Sequence, residues 1–196
     1  MSLHPSRRNF IFVLIAITFV CVALSACSSR GSGLKVKSAA TGDKELDVKS
    51  SYAFPVTKSF TDINQKITTA VVYNVYVANY DLDAGNFAMT LEKPMASEDQ
   101  VRVVFSLVGE EGTKDPAALK TGAYSAKADK HMKVETVGIV TRRGSADTKY
   151  WFDRSSVNGQ VTVTSVTDDA ISGDIDVTAG ENTINGSFRA KILKRK

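Results

Sequence analysis

The chain has 196 residues, with 25 Lys and Arg against 21 Asp and Glu and a formal net charge of +4. That near balance excludes nucleic acid as the natural partner, because phosphate-binding proteins concentrate many Lys and Arg on one face. Both cysteines, Cys21 and Cys27, fall near the amino terminus, so the rest of the chain has no thiol for a disulfide framework, a cysteine nucleophile or a thiolate metal site.

Arg7 and Arg8 form a positive opening, and Phe10 to Leu24 form an apolar run of fifteen residues. Small residues then lead into a cysteine, which is the layout of a bacterial secretion signal. The run is too short for an uncleaved anchor, since a bilayer core calls for about 20 apolar residues. Leu24-Ser25-Ala26-Cys27 resembles the lipobox of bacterial lipoproteins. The resemblance implies a cleaved signal helix over residues 1–26, with signal peptidase II cutting just before Cys27. It also implies palmitate-type acyl chains on that cysteine as the membrane anchor. Each buried methylene contributes about 0.8 kcal/mol, so two or three chains hold a protein at its membrane almost permanently. Ser28 stands where lipoproteins of enteric-type bacteria carry aspartate to stay in the inner membrane. In a host with two membranes, the outer membrane facing the periplasm is therefore favoured. Cleavage removes two arginines and no acid, leaving 170 residues with a formal charge of +2, the size of one domain.

Residues 27–51 are rich in Ser, Gly, Lys and Ala and read as a flexible tether starting at Cys27. About 24 such residues have a root-mean-square span of roughly 25 to 30 Å. The alternative is an edge strand at Leu34 to Lys37 or Glu45 to Val48. Residues 52–196 read as a single all-β domain, because the hydrophobic period stays close to two and no stripe of period 3.6 persists over three turns. Val71, Tyr73, Val75 and Val77 share one face of a long strand, with Val72, Tyr76 and Tyr80 on the other. Phe87, Met89 and Leu91 alternate in the next strand, and Val101, Val103, Phe105 and Leu107 in the one after. A loop from Glu110 to Lys120 precedes shorter runs at Ala123 to Ala126, Lys133 to Thr141 and Thr148 to Asp153.

The last forty residues contain an echo: Val157-Asn158-Gly159, Ile171-Ser172-Gly173 and Ile184-Asn185-Gly186, each followed by apolar–polar alternation. Turn-forming residues separate the copies, which predicts a three-strand antiparallel meander. The repeated glycine predicts a bulge or a close crossing of strands. About eight to ten strands predict an antiparallel two-layer β-sandwich, with a small closed β-barrel as the alternative. Gly122-Ala123-Tyr124, followed by the glycine-centred strands ending at Phe188, resembles small β-sandwich lipoproteins of unassigned function. That resemblance implies no activity.

Few residues suggest chemistry. Asp81-Leu82-Asp83-Ala84-Gly85-Asn86 with Glu92 has acids at the first, third and twelfth positions of a calcium loop, but Gly85 and Asn86 are exchanged relative to that loop and strands flank it, so a hairpin turn is expected. Asp174 and Asp176 mark the solvent face of a strand, near Asp168 and Asp169. His131, with Ser125 and Asp129 nearby, lacks the elbow a nucleophile needs and is expected to be an exposed turn residue. Tyr150-Trp151-Phe152 is expected to belong to the core, with a ligand or partner surface at Trp151 as the sharper reading. Lys191, Lys194, Arg195 and Lys196 form a basic tail able to touch anionic lipid. No catalytic, cofactor-binding or metal-binding residue is assigned. The expected function is a non-enzymatic, membrane-anchored binding module of the cell envelope for a protein, glycan or apolar ligand. A lipocalin-like carrier of a small lipophilic molecule is the alternative, and an envelope hydrolase comes third.

Overall fold

The computed structural model describes residues 32–39, 41–86 and 94–194. Within them the chain forms eleven strands and no helix. They are β1 (Gly33–Ser38), β2 (Gly42–Asp47), β3 (Ser50–Thr61), β4 (Ile67–Ala78), β5 (Val101–Val108) and β6 (Gly122–Ser125), then β7 (Lys133–Arg143), β8 (Ala146–Trp151), β9 (Val157–Val166), β10 (Ala170–Ala179) and β11 (Asn182–Ile192). The signal segment, Cys27 and the expected strand at Phe87, Met89 and Leu91 lie outside the described residues.

The strands pair in the order β3, β4, β5, β7, β6, β9, β10, β11, and β11 returns to β3, so eight strands close a barrel. The expected two-layer sandwich is corrected here to its barrel alternative. Two antiparallel arcs, β3-β4-β5-β7 and β6-β9-β10-β11, are joined by two short parallel seams. One seam pairs Ser125 with Lys133. The other pairs Lys191 with Tyr52 and Ile192 with Ala53, and the Leu193 N–H adds a 2.8 Å bond to the Ala53 carbonyl. The next donor on that edge of β3 would be residue 55, a proline without an N–H, so the seam ends there.

Within residues 27–51, read as a flexible tether, the described residues from Gly33 on form strands, which is the edge-strand alternative. β1 pairs with β11 from Gly33↔Ser187 to Lys37↔Thr183, and β2 pairs with β1. Leu34, Val36 and Leu46 are at most 1 % exposed, so the domain begins by Gly33. Leu34 stands opposite Leu46 within the β1–β2 hairpin, and Val36 stands opposite Ile184 on the last strand.

The meander β9-β10-β11 forms as expected, antiparallel throughout. Its glycines mark close crossings. A Cβ on Gly159 would stand 2.1 Å from the Asp176 carbonyl oxygen, and one on Gly173 would stand 2.2 Å from that of Thr162. At Gly173 the ladder with β9 also shifts register.

Inward-facing residues of the strands merge into one core that includes Phe105, Tyr124, Ile139, Ile175 and Phe188. Phe105 on β5 meets Phe188 on β11 edge to face, with centroids 5.1 Å apart, so aromatic rings span the lumen. All of β5 is buried on both faces. Val104 and Val140 face outward, under Met95, Tyr76 and Tyr80.

One part of the sheet leaves the barrel. β4 pairs with β5 only from Val72 onward, so Ile67 to Val71 pair with β3 alone and form the outer part of a two-stranded arm. The loop after β5 braces it: Gly109 N–H donates to the Val71 carbonyl at 2.8 Å, Gly112 N–H to that of Thr69 at 2.7 Å, and Asp115 N–H to the Thr57 hydroxyl at 3.0 Å.

Candidate functional site

Among the described residues β8 pairs only with β7, with Trp151 opposite Gly138 and Tyr150 opposite Ile139. Alternation therefore turns Tyr150 inward and Trp151 outward. Phe152 donates its N–H to the Val137 carbonyl at 2.9 Å and is buried in the core. Trp151, in contrast, is 53 % exposed. The expectation that all three aromatics are core residues is corrected for Trp151, because an edge strand has its outer face in solvent.

Gly138 explains how the indole is held. A Cβ at that position would come within 2.4 Å of Cε3 and 2.7 Å of Cζ3 of Trp151, so the benzo ring occupies the space a side chain would take. One part of the indole is packed on backbone and the rest is presented to solvent. Thr136 on β7 and Lys149 on β8 lie two residues away on the same outer face, offering a hydroxyl and an ammonium group.

Met95 borders this surface. Its N–H donates to both carboxylate oxygens of Asp147, at 3.0 and 3.2 Å, and its carbonyl accepts from the Arg142 guanidinium. Charged side chains of β7 and β8 thus pin the Met95 backbone while its side chain covers Val104 and Val140. Arg102, 3 % exposed, donates to the Tyr80 hydroxyl at 3.0 Å. Burial pushes the Tyr76 and Tyr80 phenols above their ordinary value, against the opposing charge of Arg102.

Clefts open elsewhere among the described residues. Where the seam stops at Pro55, a cleft of about 500 Å³ reaches Tyr73 between Pro116, Ile192, Asp115, Asp168 and Lys194. The Tyr73 hydroxyl donates to the Ala117 carbonyl at 3.2 Å, and its pKa is raised by burial and then by the charge of Asp115. A second cleft, of about 420 Å³, lies beside the arm, lined by Asp62, Lys66, Glu111, Asp129, Lys130 and His131 among others.

The remaining candidates are not brought together into a site. Asp83 Oδ1 accepts from the N–H of Gly85 at 2.8 Å and of Asn86 at 3.3 Å, which makes the turn; Glu92 lies outside the described residues. Asp168, Asp169, Asp174 and Asp176 are exposed, and Asp169 meets Lys194 at 3.6 Å. Among the described residues no group of three or more His, Cys, Asp or Glu is placed to hold a metal ion. His131 is half-buried, a correction to the expected exposed position: its ring packs edge-on against Phe60 of the arm at 5.4 Å. The Ser125 hydroxyl accepts from the Lys127 N–H at 3.1 Å, within its own turn. Lys191 is exposed, while Arg195 and Lys196 lie outside the described residues. Sequence reasoning missed Gly138, whose only signal is a glycine in the middle of an apolar strand.

No family model, no curated protein and no solved structure matches the chain.

Proposed function

We propose that the chain is a membrane-anchored lipoprotein of the cell envelope, held through acylated Cys27, and that its barrel is a non-enzymatic binding module with Trp151 at the centre of the contact surface. The observation that carries this reading is the half-exposed indole seated on Gly138. A large apolar ring left in water by a rigid strand marks a contact surface more than a single exposed aliphatic residue does. An envelope glycan suits it best. The C–H face of a sugar ring carries partial positive charge and meets the negative face of the indole, while Thr136 and Lys149 hydrogen-bond to its hydroxyls. The outer membrane facing the periplasm, where peptidoglycan is at hand, is the corresponding location in a host with two membranes.

Barrel closure favours a second reading, a carrier of a small lipophilic molecule. Against it stand the Phe105–Phe188 contact across the lumen and the full burial of Tyr124. The test uses purified acylated protein and insoluble peptidoglycan. Binding is expected to fall at least tenfold in Trp151→Ala, and the emission of the chain's one tryptophan is expected to shift when soluble muropeptides are added. Retention of binding by Trp151→Ala, with unchanged emission in the parent protein, would refute the glycan reading. Loss of palmitate labelling in Cys27→Ser tests the anchor separately.

A further inference from the structure

The braced arm leaves one edge of β3 open. Because the Leu193 N–H donates to the Ala53 carbonyl, Ala53 turns its backbone groups away from β4 and toward β11. Alternation gives Pro55, Thr57, Ser59 and Thr61 the same direction. Past the seam no strand among the described residues pairs with them on that side, and Thr57, Ser59 and Thr61 are exposed. Open edges are ordinarily guarded by charge. Here the one charged residue between Pro55 and Asp62 is Lys58, which alternation turns to the other face, where it is ion-paired with Glu135.

The arm ends in the most exposed hydrophobic side chain described, Ile63, at 99 %. Its turn is fixed by four hydrogen bonds. Gln65 N–H donates to the Asp62 carbonyl at 3.0 Å and Asp62 N–H to that of Lys66 at 3.1 Å. Asp62 Oδ1 accepts from the N–H groups of Asn64 at 2.8 Å and Lys66 at 2.9 Å, so that carboxylate is directed into the turn. A rigid turn thus carries an isoleucine with no packing of its own.

The cleft of about 500 Å³ lies at the other end of the same edge, where the seam stops at Pro55. Pro55, Pro116, Ala118 and Ile192 give it apolar walls, and Asp115 and Asp168 give it carboxylates. A second β3 laid antiparallel along the edge, with Ser59 opposite Ser59, sets Thr57 opposite Thr61 and Ile63 opposite Pro55. Facing residues of an antiparallel pair lie on the same side of the sheet, so the isoleucine arrives at the mouth of the cleft. A register shifted by two residues places Ile63 against Thr57, short of the cleft, or against Ala53, where β11 already pairs. Charge agrees with this register. Lys66 is exposed on the tip, and the cleft it meets holds two carboxylates while its Lys194 is engaged by Asp169 at 3.6 Å.

We propose that two copies of the chain form a symmetric dimer in which their β3 edges pair antiparallel about Ser59 and the Ile63 of each seats in the seam cleft of the other. The contact is self-complementary, as a two-fold interface requires. Three facing pairs supply about six backbone hydrogen bonds.

The test follows the full-length protein in detergent by sedimentation velocity over a concentration series, where a dimer that dissociates on dilution is expected. Ile63→Asp alters a side chain that packs on nothing and is expected to raise the dissociation constant at least tenfold. Ser59→Pro removes the central donor of the open edge without touching the β4 ladder and is expected to do the same, with circular dichroism checking that both variants stay folded. Cysteines at Ile63 and Ala118 of one chain are expected to cross-link into dimers through a short thiol-reactive linker, with the parent chain as the blank for its own cysteines. Ile63→Cys alone is expected not to, since the two tips stand about 27 Å apart along the paired strands. A monomer at every concentration overturns the proposal. So does a dimer that Ile63→Asp leaves intact, or one that Ile63→Cys alone cross-links.

Discussion

Replacing Gly138 by alanine tests whether the indole of Trp151 is seated where the backbone demands it. The new methyl would stand 2.4 Å from Cε3, well inside contact distance, and the neighbour that must yield is a side chain rather than backbone. Trp151 is 53 % exposed, so about half of its surface is packed. Taking about 250 Å² for a tryptophan, roughly 120 Å² leaves its packing if the ring swings out, which at about 25 cal/mol per Å² is a ceiling near 3 kcal/mol. Partial rotation retains some contact, so Gly138→Ala is expected to cost about 1 to 3 kcal/mol, or roughly 3 to 10 °C in Tm for a domain of this size. Trp151 is the chain's one tryptophan, so its emission reports on this ring alone and is expected to move to the red. Urea unfolding read by circular dichroism gives the energy. The same change in a Trp151→Ala background removes the clash and is expected to cost less than about 0.5 kcal/mol, which makes the pair strongly coupled. A parent-like stability and emission for Gly138→Ala would refute the packing argument.

Other consequences follow from close backbone contact and from buried phenols. Gly186→Ala would drive a methyl to 2.1 Å from the Gly33 carbonyl oxygen at a φ of +133°, a clash that only backbone movement relieves. A loss above about 4 kcal/mol is expected, with hydrogen exchange showing β1 and β2 released first; unchanged protection of residues 33–47 would count against it. Tyr73 and Tyr124 are 3 % and 0 % exposed, and burial raises both phenols from the ordinary 10.0, with Asp115 and Glu110 adding their charges respectively. The folded state keeps these protons while the unfolded chain releases them near pH 10, so the stabilisation is complete below pH 10 and is lost as pH rises above it. Urea melts at pH 8, 10 and 11 should show a fall approaching about 1.4 kcal/mol per pH unit for each tyrosine above pH 10, and a flat profile would contradict their burial.

The meander at the end of the chain was legible because three glycines at matching places announce strands that pass close to one another. β4, β5, β7 and β8 were legible from alternation alone. Closure was not, because it depends on pairs such as Lys191↔Tyr52 and Ser125↔Lys133, which leave no periodic trace. β1 was legible only as the alternative to a tether, for a related reason: two apolar residues among lysines carry little signal, and the strand that buries them lies at the far end of the chain. The surface at Trp151 was half legible. Alternation sends it away from Phe152, but which of the two faces is solvent depends on β8 being an edge. Gly138 then gives the ring its seat, a role visible only once the two strands are aligned.

The pairing of β1 with β11 also dictates the order in which the molecule can assemble. A chain is synthesised from its amino terminus, yet the first strand has no long partner besides β2 until residues 182–192 arrive. Those same residues supply the β3 seam that shuts the ring. The final strand therefore performs two tasks at once, and a chain that stops short of Asn182 leaves both a gaping barrel and an undocked hairpin. Such distant pairings place folding at the slow end of the range for domains of this kind. They also leave the amino-terminal hairpin available to chaperones and proteases until synthesis is complete.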